Sequence, residues 1–137
     1  MTESEQAALA RRWLQYAEDD LRAATEARGI LVAWQCCFHA QQAAEKAIKG
    51  GLTLAGVAFP RRHDLVSLQA LLPGDWPARH EMLPLEWLSR WAVEARYPAE
   101  LPDATEDDAD RAVRAATEVV RCIVRDFETR IAQLEAD

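Results

Sequence analysis

The run from Trp34 to Leu54, WQCCFHAQQAAEKAIKGGLTL, constrains the fold more than any other stretch of this chain. Trp34, Cys37, Phe38, Gln41, Ala44, Ile48 and Leu52 recur at intervals of three and four, the spacing of one side of an α-helix. Ala40, Ala43, Ala44 and Ala47 keep that helix thin where neighbours must approach, and alanine has the best helix propensity. Gly50 and Gly51 read as its C-terminal fraying point. Glu45 stands on the edge of the apolar stripe, three residues from Gln42 and four from Lys49. A carboxylate placed there needs a partner, because burying it unpaired is costly.

The rest of the chain also reads as helix. Thr2 with Glu5 three residues on is a capping-box start for a helix running to about Arg28, with Leu9, Trp13, Tyr16, Ala17, Leu21 and Ala24 facing inward. Asp20 falls in the same inward sector. The short connection to the central helix predicts an antiparallel hairpin. Asp64 is the expected N-cap of a short helix through Leu72, with Leu65, Leu68 and Leu72 inward. A break at Pro73–Pro77 follows. A fourth helix is expected from about Pro84, with Leu88, Trp91, Ala92 and Ala95 inside, ending at Tyr97 before Pro98. Thr105 then caps a last helix whose first turn, Glu106-Asp107-Asp108, suits the positive N-terminal end. Its seam of Val113, Ala116, Val120, Ile123, Phe127, Ile131 and Leu134 has a nearly heptad period, suited to another long helix or to its own copy in a dimer. The fold class is all-α: one domain over residues 1–137, an antiparallel bundle of about five helices.

Charge and composition narrow the function. A net charge of −7 excludes a general affinity for nucleic-acid backbone, so any RNA contact must be a local basic patch. No apolar run approaches the roughly 20 residues a membrane span needs, and the acidic N-terminus is not signal-like, so the expected compartment is the cytoplasm. Cys36, Cys37 and Cys122 lack metal-ligand spacing and read as buried free thiols; no metal and no cofactor are expected.

The run Phe38-His39-Ala40-Gln41-Gln42-Ala43-Ala44-Glu45-Lys46-Ala47-Ile48-Lys49 resembles the signature helix of HEPN domains. The likeness extends to Trp13, Asp20-Leu21, His63-Asp64-Leu65, Leu68 and Ala95-Arg96-Tyr97-Pro98, in the family's order. The resemblance implies a helical bundle that is commonly a homodimer. It also implies work on nucleotides or RNA, often beside a minimal nucleotidyltransferase in a toxin–antitoxin pair. Members that cleave RNA share an Arg followed, after four to six residues, by a His. That arrangement is absent here: the positions preceding His39 (Val32, Ala33, Trp34), His63 (Gly56, Val57, Ala58) and His80 (Pro73, Gly74, Asp75) hold no arginine, and Arg96 has no histidine after it. The expectation is therefore a binding module without its own ribonuclease activity. The alternative is a metal-independent endoribonuclease with a rearranged site using Arg96 and His63.

The candidate nucleotide- or RNA-binding residues are Lys46, Lys49, Arg61, Arg62, His63, Arg96 and Tyr97. Arg96 reads either as a phosphate contact with Tyr97 stacking beside it, or as the structural partner of Glu45 or Asp20. Arg61-Arg62-His63 reads either as an anion-contacting edge or as a solvated loop with His63 fixing the turn. Lys46 and Lys49 join that edge only if their flank faces it. Asp20, Gln42 and Glu45 are expected to form a structural polar network, the two acids held by Lys49, Arg96 or a Trp indole. The five tryptophans read as core, with Trp76 in its Pro-Gly-Asp-Trp-Pro turn the expected exposed one.

Overall fold

A computed structural model describes residues 1–92, 100 and 103–137. Among them are five α-helices: α1 (Glu3–Glu26), α2 (Ala33–Leu54), α3 (Leu65–Gln69), α4 (Leu85–Ser89) and α5 (Glu106–Ala136). A single 3-10 turn, Pro77–His80, lies between α3 and α4. The start signals read from the sequence hold. The Thr2 hydroxyl accepts from the Glu5 N–H (3.1 Å) while Glu5 accepts from the Thr2 N–H (2.9 Å). Thr105 and Asp108 make the same reciprocal pair at α5, and Asp64 accepts from the Val66 N–H at α3. Each pairing satisfies backbone donors that a helix start leaves open.

α2 is the axle, with α1 along one side and α5 along another. Gln6 at the start of α1 donates to Leu54 O at the end of α2 (3.2 Å), and Asp20 meets His39, so the two helices run antiparallel. Arg28, just beyond α1, holds Glu106 and Asp110 at the start of α5, which sets α5 antiparallel to α1. α3, α4 and the 3-10 turn close the remaining side, with Leu65, Leu68, Leu72, Leu85, Leu88 and Trp91 buried against α2 and α5.

Several expectations are corrected. Gly50 and Gly51 do not end α2; both are buried inside it. A Cβ on Gly50 would lie 3.0 Å from Trp13 Cβ and 3.2 Å from Ala10 O, so the glycine is what lets α1 approach. α2 ends at Leu54, and two residues on Gly56 turns the chain with a left-handed φ of 73°. There Val57 N–H donates to Leu52 O (2.9 Å) and Gly56 N–H to Thr53 O (3.1 Å). Packing calls for the glycines at 50 and 51 within the helix, and the left-handed Gly56 stops it.

α1 closes at Glu26 rather than Arg28, and its buried line is Ala10, Leu14, Ala17 and Ala24, so Leu9 and Tyr16 face solvent. At Gly50 the approaching α1 presents Ala10, Trp13 and Leu14, so the inward sector is turned from Leu9 and Tyr16 toward these residues. Trp76 is buried, because its ring fills the space Gly51 leaves open, and Trp34 is the exposed tryptophan. α3 ends at Gln69, although Leu72 is buried as expected. α4 ends at Ser89; the expected end at Tyr97, and Ala95, lie outside the described residues. The α5 seam is consumed within the chain: Ala116, Val120, Ile123, Phe127 and Ile131 are buried, leaving little of it for a second copy.

Candidate functional site

Gln41, Glu45 and Lys49 are four residues apart on α2 and so stand in one line along it. The Glu45 carboxylate accepts from Lys49 Nζ at 3.0 Å, from Gln41 Nε2 at 3.1 Å and meets His63 Nδ1 at 2.9 Å. An ionised carboxylate can only accept, so the His63 proton sits on Nδ1. Gln41 also donates to His63 O (3.3 Å) and accepts from Gln42 Nε2 (2.7 Å). The Lys49 ammonium lies 5.8 Å from the Trp13 ring and 5.7 Å from the Phe59 ring, against whose faces its charge is favoured. Every polar group of this buried line has a partner, which is the condition for tolerating charge inside a core.

A second cluster lies between α1 and α2. Asp20 meets His39 Nδ1 at 3.0 Å and accepts from Lys46 Nζ at 2.5 Å. The expected polar network of Asp20, Gln42 and Glu45 is therefore two separate clusters, and the expected basic flank of Lys46 and Lys49 is divided between them. Lys49 is buried against Glu45, and Lys46 is tied to Asp20. Neither lysine projects freely. Spacing along α2 cannot show this, because the acids that claim the lysines depend on which neighbour packs where. The sequence alone does not single out Gln41 or His39 for these roles. The one signal for Gln41 is an amide in the middle of the apolar stripe, one turn before Glu45.

The loop before α3 presents a different surface. Arg61 and Arg62 are exposed and make no hydrogen bond or ion pair among the described residues. His63 beside them is turned into Glu45 and only partly exposed. The Asp64 carboxyl is held below the usual carboxylate range, chiefly by the Ser67 hydroxyl. Arg96 and Tyr97 lie outside the described residues. His80 fixes its own turn, its Nε2 2.9 Å from Gly74 O. Cys36 and Cys37 are buried, and burial pushes the Cys37 thiol up to about 12. Among the described residues no group of three His, Cys, Asp or Glu side chains is placed to hold a metal ion, and no helix is long and apolar enough to cross a membrane.

Two long helices packed along a glycine-thinned axle, with a buried carboxylate tying the α2 core to the Arg-Arg-His loop, define a helical-bundle domain. The chain belongs to the HEPN domain family, whose model matches residues 10–127. Its fold is similar to the crystal structure of TT1696 from Thermus thermophilus (TM-score 0.70, 30% identity, 85% of this chain and 97% of that one). It is also similar to ST0689, an archaeal HEPN homologue (TM-score 0.66, 28% identity, 86% and 97% covered). No curated protein matches the chain.

Proposed function

We propose that this chain is a HEPN-family binding module, a homodimer whose Arg61–Arg62 edge meets the phosphates of a nucleotide or RNA. In this reading it works beside a minimal nucleotidyltransferase in a toxin–antitoxin pair and has no RNA cleavage of its own by the Arg…His route. The observation that carries the reading is the contrast within one loop: Arg61 and Arg62 are exposed and unpaired among the described residues, while the adjacent His63 is engaged by Glu45. Two guanidiniums free to form bidentate bonds suit phosphate. The dimer contact must use a face other than the α5 seam, and Leu9 and Tyr16 on the outer side of α1 are exposed for it.

The test is RNA binding across a salt series. Each phosphate neutralised contributes a slope of about −0.7 in log–log form for a single strand. Arg61→Glu with Arg62→Glu should flatten the slope, whereas charge reversal at Glu106 and Asp107 should not. Salt-independent binding, or none at low ionic strength, would remove the phosphate reading. Sedimentation at micromolar concentration showing only a 15.4 kDa species would remove the dimer.

A second reading, a metal-independent ribonuclease using His63 and Arg96, is favoured by one feature. A carboxylate on Nδ1 orients His63 and leaves Nε2 as the basic nitrogen. Labelled RNA cut by the wild type, but not by His63→Ala or Arg96→Ala, would establish it.

A further inference from the structure

Three apolar side chains stand in solvent where α1 turns into α2: Ile30 is 85% exposed, Val32 55% and Trp34 42%. The turn is fastened beneath them. Ile30 N–H and Leu31 N–H both donate to Ala27 O, at 2.9 and 2.8 Å, and Leu31 packs against the core. Phe38, one turn beyond Trp34 on the same side of α2, is partly exposed as well. Single exposed apolar residues are ordinary on a protein surface; a cluster of them at one point marks an interaction site. The charges at this end of the bundle are mainly negative. It gathers the end of α1, the start of α2 and the start of α5, since Arg28 bonds Glu106 and Asp110. From Ala23 to Phe38 the only charged residues are Glu26 and Arg28, and Arg28 is spent on those two carboxylates. Glu26, Asp103 and Asp107 are exposed and make no ion pair among the described residues.

We infer that this end of the bundle docks a basic amphipathic segment of a protein partner, with Ile30, Val32 and Trp34 as the apolar contact and Glu26, Asp103 and Asp107 as the acidic rim. Charge decides among the occupants an apolar turn could take. A lipid surface carries negative charge and draws in lysine and arginine, so carboxylates around the turn oppose it. A second copy related by a two-fold axis would set the acidic rim against itself, and like charges facing across an interface are costly. A segment whose apolar side chains are flanked by lysine or arginine satisfies both the turn and its rim. Trp34 within such a cluster is the kind of side chain that carries a large share of binding energy.

The inference goes beyond the phosphate reading and does not depend on it. His63, beside Arg61 and Arg62, meets Glu45, roughly three helical turns along α2 from Trp34. The two surfaces also carry opposite charge, so they select different molecules.

The experiment titrates the full chain at low salt with a synthetic amphipathic peptide of leucine and lysine, read by calorimetry and tryptophan emission. Separate arms use the same peptide with glutamate in place of lysine, and phospholipid vesicles, neutral and anionic. The lysine peptide should bind and shift the emission to the blue, and the glutamate peptide should bind at least tenfold more weakly. Ile30→Ser with Trp34→Ala should weaken the lysine peptide at least tenfold with the thermal midpoint unchanged, as should Glu26→Lys with Asp107→Lys. Met82→Ser, which removes an apolar side chain 97% exposed elsewhere, should leave the affinity alone. Trp34→Phe should bind as the wild type does but without the emission shift, which fixes the contact at the turn. Unaltered affinity in the Ile30–Trp34 double variant overturns the inference, as does failure of the wild type to bind the lysine peptide. Equal binding of the two peptides overturns it too, since the rim would then contribute nothing. Vesicle binding that the double variant loses would give the turn to a lipid surface, and a dimer that the double variant dissolves would give it to a second copy; either result overturns it.

Discussion

Lys49 Nζ lies 3.0 Å from Glu45 Oε2, one turn along the same helix, and both side chains are almost entirely closed to solvent. An ion pair in such a place is held less by its own attraction than by the cost of leaving either charge alone. Glu45→Ala strands the ammonium and removes the His63 acceptor, and should destabilise by about 3 kcal/mol. That corresponds to a thermal midpoint lower by roughly 10 °C for a domain of this size. Replacing both members, Glu45→Leu with Lys49→Met, should recover most of the loss, because a packed apolar pair avoids the desolvation cost. A single variant melting with the wild type would show the pair to be without energetic weight.

Three glycines should respond in opposite directions. Alanine is better than glycine in a helix interior by about 1 kcal/mol, yet at Gly50 the new methyl would meet Ala10 O at 3.2 Å, and backbone cannot swing aside. Gly50→Ala should therefore destabilise, by about 1–3 kcal/mol as in other overpacked cores. At Gly51 the nearest atom is Trp76 Cζ3 at 3.1 Å, the far edge of a ring, and the penalty should be smaller. At Gly29 an added Cβ meets no described atom within 4 Å, so Gly29→Ala should be neutral or stabilising by up to about 1 kcal/mol. Urea titrations of the three variants would rank them, and Gly50→Ala as stable as wild type would contradict the close-approach account.

Asp126 on α5 is buried and accepts the Ala78 N–H at 2.6 Å, pinning the 3-10 turn. Asp126→Ala leaves that amide without its acceptor and should lose about 1–3 kcal/mol. Asp126→Asn keeps an acceptor oxygen and should lose less. Hydrogen exchange at Ala78 separates the two: fast in the alanine variant, protected in the asparagine one. Equal exchange in both would mean the carboxylate is not the anchor.

The Cys37 thiol is held neutral to about 12, first by burial and then by Asp108, against an ordinary value of 9.0. The unfolded chain releases this proton earlier than the folded one, so the folded state binds more protons between those values. Stability should accordingly fall as pH rises from about 9 to about 12, and this contribution is fully present below that window. Iodoacetamide at pH 8 should label Cys122, which is half-buried, before Cys36 or Cys37. Rapid modification of Cys37 in the native protein, read by peptide mass spectrometry, would refute its enclosure.

What the sequence makes legible is whatever local chemistry decides. Thr2–Glu5, Asp64 and Thr105–Asp108 begin their helices as written, since a cap is settled within four residues. Glu45 is recognisable as an acid in need of a partner, and Lys49 as one candidate for it. The misread features depend on neighbours remote in sequence. Gly50 and Gly51 look like a terminus until Trp13 and Trp76 are seen against them. Trp76 looks like a loop residue until the space beside Gly51 is known. Lys46 and Lys49 look like one basic flank until Asp20 and Glu45 claim one each. Arg111, whose guanidinium carbon lies 4.0 Å from the Trp87 ring centroid, joins two helices across a loop, and neither residue carries a local sign of the other.

Because α2 is enclosed on nearly every side, the stretch that makes this chain recognisable is also the part least open to solvent. Substitutions there are filtered by volume and by the Glu45 pairing, whatever the protein does. Chains can therefore share the α2 pattern and differ on exposed surfaces such as the outer face of α1 and the loop at Arg61–Arg62. Kinship is written in this molecule where solvent hardly reaches.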